Sequence, residues 1–204
     1  MAVAARATDG SHADSIALIK AAAAQPGKVA PSKVLQACLE LEKGKLLTED
    51  YYKTLSSHPW QLVWTADAKA VNGKGKSGGG LYFPLDAAQI FTQGHEFENG
   101  VFLGGLFSLT FRGPCITKGK QLSFDVYTMY VRLGGWTFPI SIKKEGKPLE
   151  QEDPKSVKAL PFFLYAYIDE SIIVGRGRSG GLALWRKPDV AWLAKNGALT
   201  ALKL

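Results

Sequence analysis

The sequence lacks any long hydrophobic run and has few cysteines. Crossing a bilayer takes about 20 consecutive apolar residues, and FLGGLFSLTF (102–111) is too short and is interrupted by glycines. The two cysteines, Cys38 and Cys115, show neither CxxC spacing nor a disulfide-framework pattern. These absences predict a soluble or peripheral protein with two free, buried thiols in a reducing compartment.

Recognisable catalytic and metal-binding motifs are also missing. The three histidines, His12, His58 and His95, form no HxxxH or HxH pair that would seat a metal. No serine lies in a GxSxG elbow, and Cys115 has no neighbouring base in the sequence. We therefore predict that the protein is not an enzyme and has no catalytic residues and no metal.

The composition is that of a globular protein with an excess of basic residues. Of its 204 residues, 46% are hydrophobic and 21% are charged, which predicts one sizeable core with a helical appendage. The net charge of +7 and the pI of about 9.3 favour anionic partners: nucleic acids, lipid headgroups or acidic proteins. The N-terminal MAVAARATDGSHADS lacks a signal-peptide core, which predicts a cytosolic protein or a chain that begins after a removed targeting segment.

Hydrophobic periodicity changes near residue 58, from helical spacing to strand-like segments. The segments rich in aromatic and β-branched residues are 60–66, 80–85, 101–113, 120–134, 137–142, 161–169, 171–175 and 182–186. Antiparallel strands at such short spacing must stack as a sandwich or close into a barrel. We predict a flexible N-terminus (1–14), a helical segment (15–58), a β domain (59–187) and a C-terminal helix and tail (188–204).

The glycine- and arginine-rich stretch GRGRSGG (175–181) has the composition of a binding loop. A phosphate-binding loop must open a helix, but this stretch leads into the strand-like LALWR. A nucleic-acid grip of the RGG type would be repeated, and this one occurs once. The stretch therefore predicts a β-hairpin whose turn takes positive φ at Gly177, Gly180 and Gly181, and it argues against a nucleic-acid partner.

Two aromatic strands have no purely polar face, which predicts apolar contacts on both sides. Strict alternation puts Tyr165, Tyr167 and Asp169 on one face of segment 161–169. In segment 120–134 it aligns Phe124 and Tyr130 with Arg132, which would meet a polar ligand head, a carboxylate such as Asp169, or solvent. For each inward residue, a ligand cavity and a filled core are open alternatives.

Three pieces of the chain, taken in order, resemble the plastid lipid-associated protein family, the plastid fibrillins. PWQLVWTA (59–66) is similar to the family's opening strand. NGVFLGGLFSLTFRG with KQLSFDVYTMYVRLG is similar to its central strands, and YAYIDESIIVGRGRSGGLALWR to its closing hairpin. The resemblance covers about 59–186, and helical segment 15–56 also looks like the family's leader helices.

The resemblance implies a mainly β fold, a lipocalin-like antiparallel β-barrel with N-terminal helices, to which the pattern adds a short C-terminal helix. It further implies a non-enzymatic plastid protein, at the thylakoid or plastoglobule. Such a protein would bind or organise a hydrophobic small molecule: a prenyl lipid, a quinone, a carotenoid or a fatty acyl chain. The basic loops 72–78 and 143–147 would attract an anionic membrane surface.

Nine side chains are predicted to line the ligand cavity. They are Trp64, Phe83, Phe124, Tyr130, Arg132, Tyr165, Tyr167, Arg176 and Trp185. The alternative is a filled barrel that acts as a scaffold or assembly subunit and binds a protein partner through its basic surface.

Overall fold

The computed structural model of the protein describes residues 10–75, 78–144, 146 and 148–196. The predicted tail beyond 196, the first nine residues of the predicted flexible N-terminus, and parts of the two basic loops lie outside these ranges. The helices are α1 Gly10–Ala24, α2 Pro31–Lys43, α3 Tyr51–Leu55, α4 Ala68–Val71, α5 Pro154–Ala159 and α6 Val190–Lys195, with a 3₁₀ turn at Leu149–Gln151. The strands are β1 Trp60–Ala66, β2 Leu81–Tyr82, β3 Asp86–Phe91, β4 Glu96–Leu103, β5 Phe107–Lys118, β6 Gln121–Phe124, β7 Thr128–Leu133, β8 Trp136–Ser141, β9 Phe162–Ile168, β10 Ile172–Gly177 and β11 Leu182–Arg186.

Eight antiparallel strands close into a barrel. The order runs β4, β3, β1, β11, β10, β9, β6 and β5, and the β4–β5 ladder completes the circle. Closure removes the exposed edges that an open sheet of these strands would leave. The predicted fold class is confirmed: a mainly β, lipocalin-like antiparallel barrel with N-terminal helices and a short C-terminal helix.

β5 is long enough to pair with two strands along one edge. Its first half pairs with β7 and its second half with β6, while β4 runs along its other edge. The chain therefore breaks between β6 and β7, where the carbonyl oxygen of Asp125 lies against Gly113 so closely that a Cβ there would clash. The prediction of one continuous strand over 120–134 was wrong for this reason.

Helices α1 and α2 cover the outside of the barrel. Their apolar residues, including Ile19, Val34 and Leu41, are fully buried against the outer faces of β1, β10 and β11. The layer holds Cys38, whose thiol is free and buried, as is that of Cys115 inside the barrel. Both thiols are as predicted.

The barrel interior is a packed aromatic core. Helix α3 closes one end, where the carbonyl of Leu55 accepts a hydrogen bond from Trp60 Nε1 at 2.8 Å. Further in, the ring of Phe124 lies 4.4 Å from that of Phe97 and 5.5 Å from that of Phe163, measured between centroids. The structure therefore resolves the open alternative along the barrel axis in favour of a filled core.

The closing hairpin uses its arginines to hold other segments. β10 and β11 pair over Ile172–Arg176, and only Gly180 of the three predicted glycines has positive φ, at 89°. Gly181 is needed instead for space, because a Cβ there would lie 2.7 Å from the carbonyl oxygen of Ala66. Arg178 donates to the carbonyl groups at the end of α5, that of Leu160 at 2.7 Å. The hairpin interpretation of GRGRSGG is confirmed.

Candidate functional site

A cleft of about 700 Å³ lies at the rim of the barrel, where the α2–α3 loop passes over β9 and the β5–β6 turn. We call it the rim cleft. Its lining consists of Glu42, Gly44, Lys45, Leu46, Leu47, Thr48, Glu49, Tyr51, Gly119, Lys120, Leu164, Tyr165, Ala166 and Arg176. The volume is within the range of about 300–1,000 Å³ that is typical of small-molecule sites.

The charged groups of the rim cleft differ in how tightly they are held. Arg176 donates from Nε and Nη2 to the two carboxylate oxygens of Glu42, at 2.7 and 2.5 Å, and from Nη1 to the carbonyl oxygen of Gly180. This ion pair joins α2 to the closing hairpin and is partly buried. Lys45 and Lys120, by contrast, are exposed and lie at the mouth of the cleft.

Two tyrosines of the lining have buried hydroxyl groups without hydrogen-bond partners. The hydroxyls of Tyr51 and Tyr165 are both shielded from solvent and have no partner among the described residues, and the rings meet edge to face at 6.0 Å. Burial, with a smaller contribution from neighbouring Cys115, raises the pKa of Tyr51 to about 12. Burial likewise raises the pKa of Tyr165 well above its usual value. Both phenols are therefore neutral donors at any physiological pH.

A second candidate surface is one face of the sheet β4–β5–β7–β8, which extends beyond the closed barrel. Register pairs its residues in three rows across the four strands. The rows are Asn99, Phe111, Met129 and Ile140; Val101, Leu109, Val131 and Phe138; and Leu103, Phe107, Leu133 and Trp136. We call the eleven apolar members the open apolar face.

The opposite face of the same four strands is polar. Its rows include Thr110, Arg132 and Thr137, and its apolar Phe102 is covered by Trp192 of α6, with ring centroids 6.0 Å apart. The sheet is therefore amphipathic, and its apolar side is the one that continues the barrel interior through Phe97. An antiparallel sheet normally turns its apolar face to the core. Here the part of the apolar face that lies beyond the closed barrel is exposed to water instead.

The exposure of the open apolar face is large. Trp136 is 74% exposed and Leu133 is 60% exposed, and the neighbouring Leu106 in the β4–β5 turn is 75% exposed. The other four tryptophans of the chain, in β1, β11 and α6, are all buried. Contiguous apolar surface of this kind marks an interaction site.

The segment that builds this face is basic. Residues 99–144 contain Arg112, Lys118, Lys120, Arg132, Lys143 and Lys144 but only one acid, Asp125. The two arginines contact Glu96 and Glu98 on the polar side of the sheet. After β8 come the exposed Ile142, then Lys143, which forms an ion pair with Asp125, and then the exposed Lys144. The apolar surface therefore has Lys144 as a cation at its edge.

Two of the nine predicted cavity residues line the rim cleft. These are Tyr165 and Arg176, and a ligand role for them stays a prediction. Phe124 and Trp185 belong to the aromatic core inside the barrel. Phe83 follows β2, where its backbone N–H donates to the carbonyl oxygen of Val63 at 2.8 Å.

Trp64 and Tyr167 lie on the outside of the barrel, under the helices. The register of β1 shifts at Val63 and that of β9 at Ala166, so each bulge moves the following residue to the opposite face. The alternation that aligned Tyr165 with Tyr167 was therefore wrong. The hydroxyl of Tyr167 donates to Asp169 at 2.9 Å.

Tyr130 and Arg132 lie on the polar face of β7, and the guanidinium lies 5.6 Å from the Tyr130 ring centroid. Arg132 contacts Glu98, at 3.4 Å, and not Asp169. Asp169 instead forms an ion pair with Lys20 of α1 at 2.6 Å. The suggested contact between Arg132 and Asp169 was thus wrong. The break before β7 places Tyr130 and Arg132 on the opposite face of the sheet from Phe124.

Sequence reasoning did not identify Tyr51 or the α2–α3 loop as part of a site. The signal was faint: the loop KLLTED carries two leucines in an otherwise polar connection. The open apolar face left a clearer trace, since 101–111 and 136–142 alternate apolar residues with small or polar ones. Alternation alone does not say which apolar face is left uncovered.

Comparisons with known proteins add little to this description. Neither a protein-family model nor a curated protein matches the chain. Among solved structures, a lipocalin-like protein from Bacteroides uniformis aligns with 66% of this chain and 99% of its own, at a TM-score of 0.40 and 17% identity. None of the helices in the described ranges combines the length and hydropathy that a membrane span requires.

Proposed function

We propose that this is a non-enzymatic, lipid-associated protein of the plastid that binds or organises a hydrophobic small molecule at a thylakoid or plastoglobule surface. The open apolar face is the observation that carries this proposal. The molecule would be a prenyl lipid, a quinone, a carotenoid or a fatty acyl chain. The plastid assignment is supported by the sequence resemblance over 59–186.

The open apolar face fits a lipid surface because it combines exposed hydrocarbon with a bordering cation. Burial of apolar area contributes about 25 cal/mol per Å². A cation near an anionic lipid surface adds about 1 kcal/mol, and the exposed Lys144 lies at the edge of the face. Pro139 places β8 among strands suited to a sheet edge, which favours contact through the face over pairing with another chain.

The rim cleft fits a single hydrophobic molecule. Its apolar wall is formed by Leu46, Leu47, Leu164 and Ala166, and its volume matches that of small-molecule sites. Because aromatic side chains fill the barrel axis, the cleft at the rim takes the place that a central cavity has in a hollow barrel. In this proposal the ligand is held between the α2–α3 loop and β9.

Native mass spectrometry of protein purified from its own source tests the proposal. We expect an adduct whose organic extract contains a lipid or pigment. Leu164→Lys places a charge in the cleft wall and should abolish the adduct, whereas Leu85→Lys, at an exposed leucine outside the cleft lining, should keep it. Protein without any adduct, or an adduct that both variants retain equally, would contradict ligand binding in the cleft.

A further inference from the structure

We infer that the ligand of the rim cleft has a neutral carbonyl head, as in a ketone, a quinone or an ester, which lies innermost between Tyr51 and Tyr165. This inference rests on the proposed binding of a hydrophobic molecule in the cleft and specifies its chemical class. The hydrocarbon part then runs outward along Leu46, Leu47 and Leu164.

The argument begins with the two hydroxyl groups. A buried donor without a partner carries a desolvation penalty, and native proteins contain few of them. Tyr51 is 6% exposed and Tyr165 is 1% exposed, both line the same cleft, and neither hydroxyl has a hydrogen-bond partner. Their rings are in edge-to-face contact, and the inference assigns one small acceptor to both hydroxyls.

Neighbouring polar groups do not supply that acceptor. The hydroxyl of Tyr52, next along α3, already donates to the carbonyl oxygen of Thr92 at 2.9 Å and lies 3.5 Å from Cys115 Sγ. The thiol of Cys115 is buried and protonated, because burial raises its pKa to about 11. The inner wall of the cleft is therefore rich in donors, and an acceptor for the two tyrosine hydroxyls would have to come from the ligand.

The head must also be neutral. The same burial that keeps both phenols protonated would penalise a carboxylate placed beside them. The cations that could neutralise a carboxylate, Lys45 and Lys120, are exposed at the mouth, and Arg176 is held by Glu42. A charged head would therefore bind at the mouth, whereas an uncharged carbonyl can enter.

Matched volatile probes test the inference with the full-length protein. The probes are 2-decanone and n-decane, which differ by one carbonyl oxygen, and depletion of each from the headspace on adding protein is measured by gas chromatography. We expect 2-decanone to bind more tightly than decane. Tyr51→Phe and Tyr165→Phe should each weaken ketone binding about two- to tenfold, and decane binding should be unchanged.

Tyr82→Phe is the control, since its hydroxyl lies outside the cleft lining and donates to the carbonyl oxygen of Val29 at 2.7 Å. The two cleft variants keep the ring and lose only an unpartnered hydroxyl, so thermal melting should show that they fold. As an independent readout, the carbonyl stretch of ¹³C-labelled 2-decanone should shift to lower frequency on binding to wild type and shift less in the double variant.

The possible results separate this inference from the proposed function. Equal binding of ketone and decane, unaffected by either substitution, would overturn the carbonyl head while leaving a hydrophobic cleft. Preference for decanoate over 2-decanone, lost in Lys120→Ala, would overturn it in favour of a charged head at the mouth. If neither neutral probe binds, both the inference and ligand binding in the cleft fail.

Discussion

Trp136 offers the sharpest test of the open apolar face. We predict that Trp136→Ala weakens partitioning onto vesicles that contain anionic lipid, while the fold is unchanged because this side chain is 74% exposed. A tryptophan presents about 200 Å² of burial area, so roughly 150 Å² is available to lipid. At about 25 cal/mol per Å² this sets an upper bound of about 4 kcal/mol.

Interfacial contact buries only part of that area, so we expect a loss of about 2 kcal/mol, or about 30-fold in the partition coefficient. Leu85→Ala is the matched control, since Leu85 is 47% exposed and lies outside the face. Leu85→Ala should leave the partition coefficient within about twofold of the wild-type value, because a surface change away from the contact has little effect. Both variants should melt close to the wild-type temperature.

The tryptophans themselves provide the assay. Because Trp60, Trp64, Trp185 and Trp192 are buried, a blue shift on adding vesicles and quenching by brominated acyl chains both report on Trp136. Co-sedimentation gives the partition coefficient, and raising the salt concentration should lower it, because salt screens the attraction between Lys144 and anionic lipid. Unchanged emission with vesicles, or equal partitioning of wild type and Trp136→Ala, would refute the lipid-facing role of this surface.

Three further predictions concern residues that hold the helices and strands of the barrel together. Arg176→Ala should lower the free energy of unfolding by about 1–3 kcal/mol in urea titration, because it leaves the partly buried carboxylate of Glu42 without its ion-pair partner. A loss no greater than that of a surface substitution would contradict this. The carboxylate of Asp169 should contribute about 1–2 kcal/mol to the free energy of unfolding above pH 4, and this contribution should disappear between pH 4 and pH 2. Burial alone would raise the pKa of Asp169, but hydrogen bonds from Lys20 and from the backbone N–H of Ser171 outweigh burial and lower the pKa to about 2. Asp169→Asn should therefore reduce the fall in melting temperature between pH 4 and pH 2, and an unchanged fall would count against this. Gly113→Ala should destabilise by more than about 2 kcal/mol in thermal melts, since its Cβ meets a backbone carbonyl oxygen, and a normal melt would show that the chain can move aside.

The strand pattern and the closing hairpin could be predicted because they depend on local chemistry. Aromatic and β-branched residues with glycine turns specify β10 and β11 and the order of most other strands. β3 escaped prediction because its sequence DAAQIF is poor in such residues. Its burial comes from neighbours in the closed sheet, which are distant in sequence.

The candidate site depended on features that alternation does not contain. One extra residue in each of β1 and β9, at Val63 and Ala166, moved Trp64 and Tyr167 from the interior to the helix layer. The rim cleft depends on how the α2–α3 loop packs on β9, a contact across more than a hundred residues. Tyr165 was predicted because it precedes the bulge, where the period of two still holds.

The most direct test of the account is a crystal structure of the protein purified from its own source with its native lipid content. The account predicts elongated density in the rim cleft, passing Leu164 and ending within hydrogen-bond distance of the hydroxyls of Tyr51 and Tyr165. A cleft that holds only water, or one closed by the α2–α3 loop with both hydroxyls paired to protein groups, would contradict it.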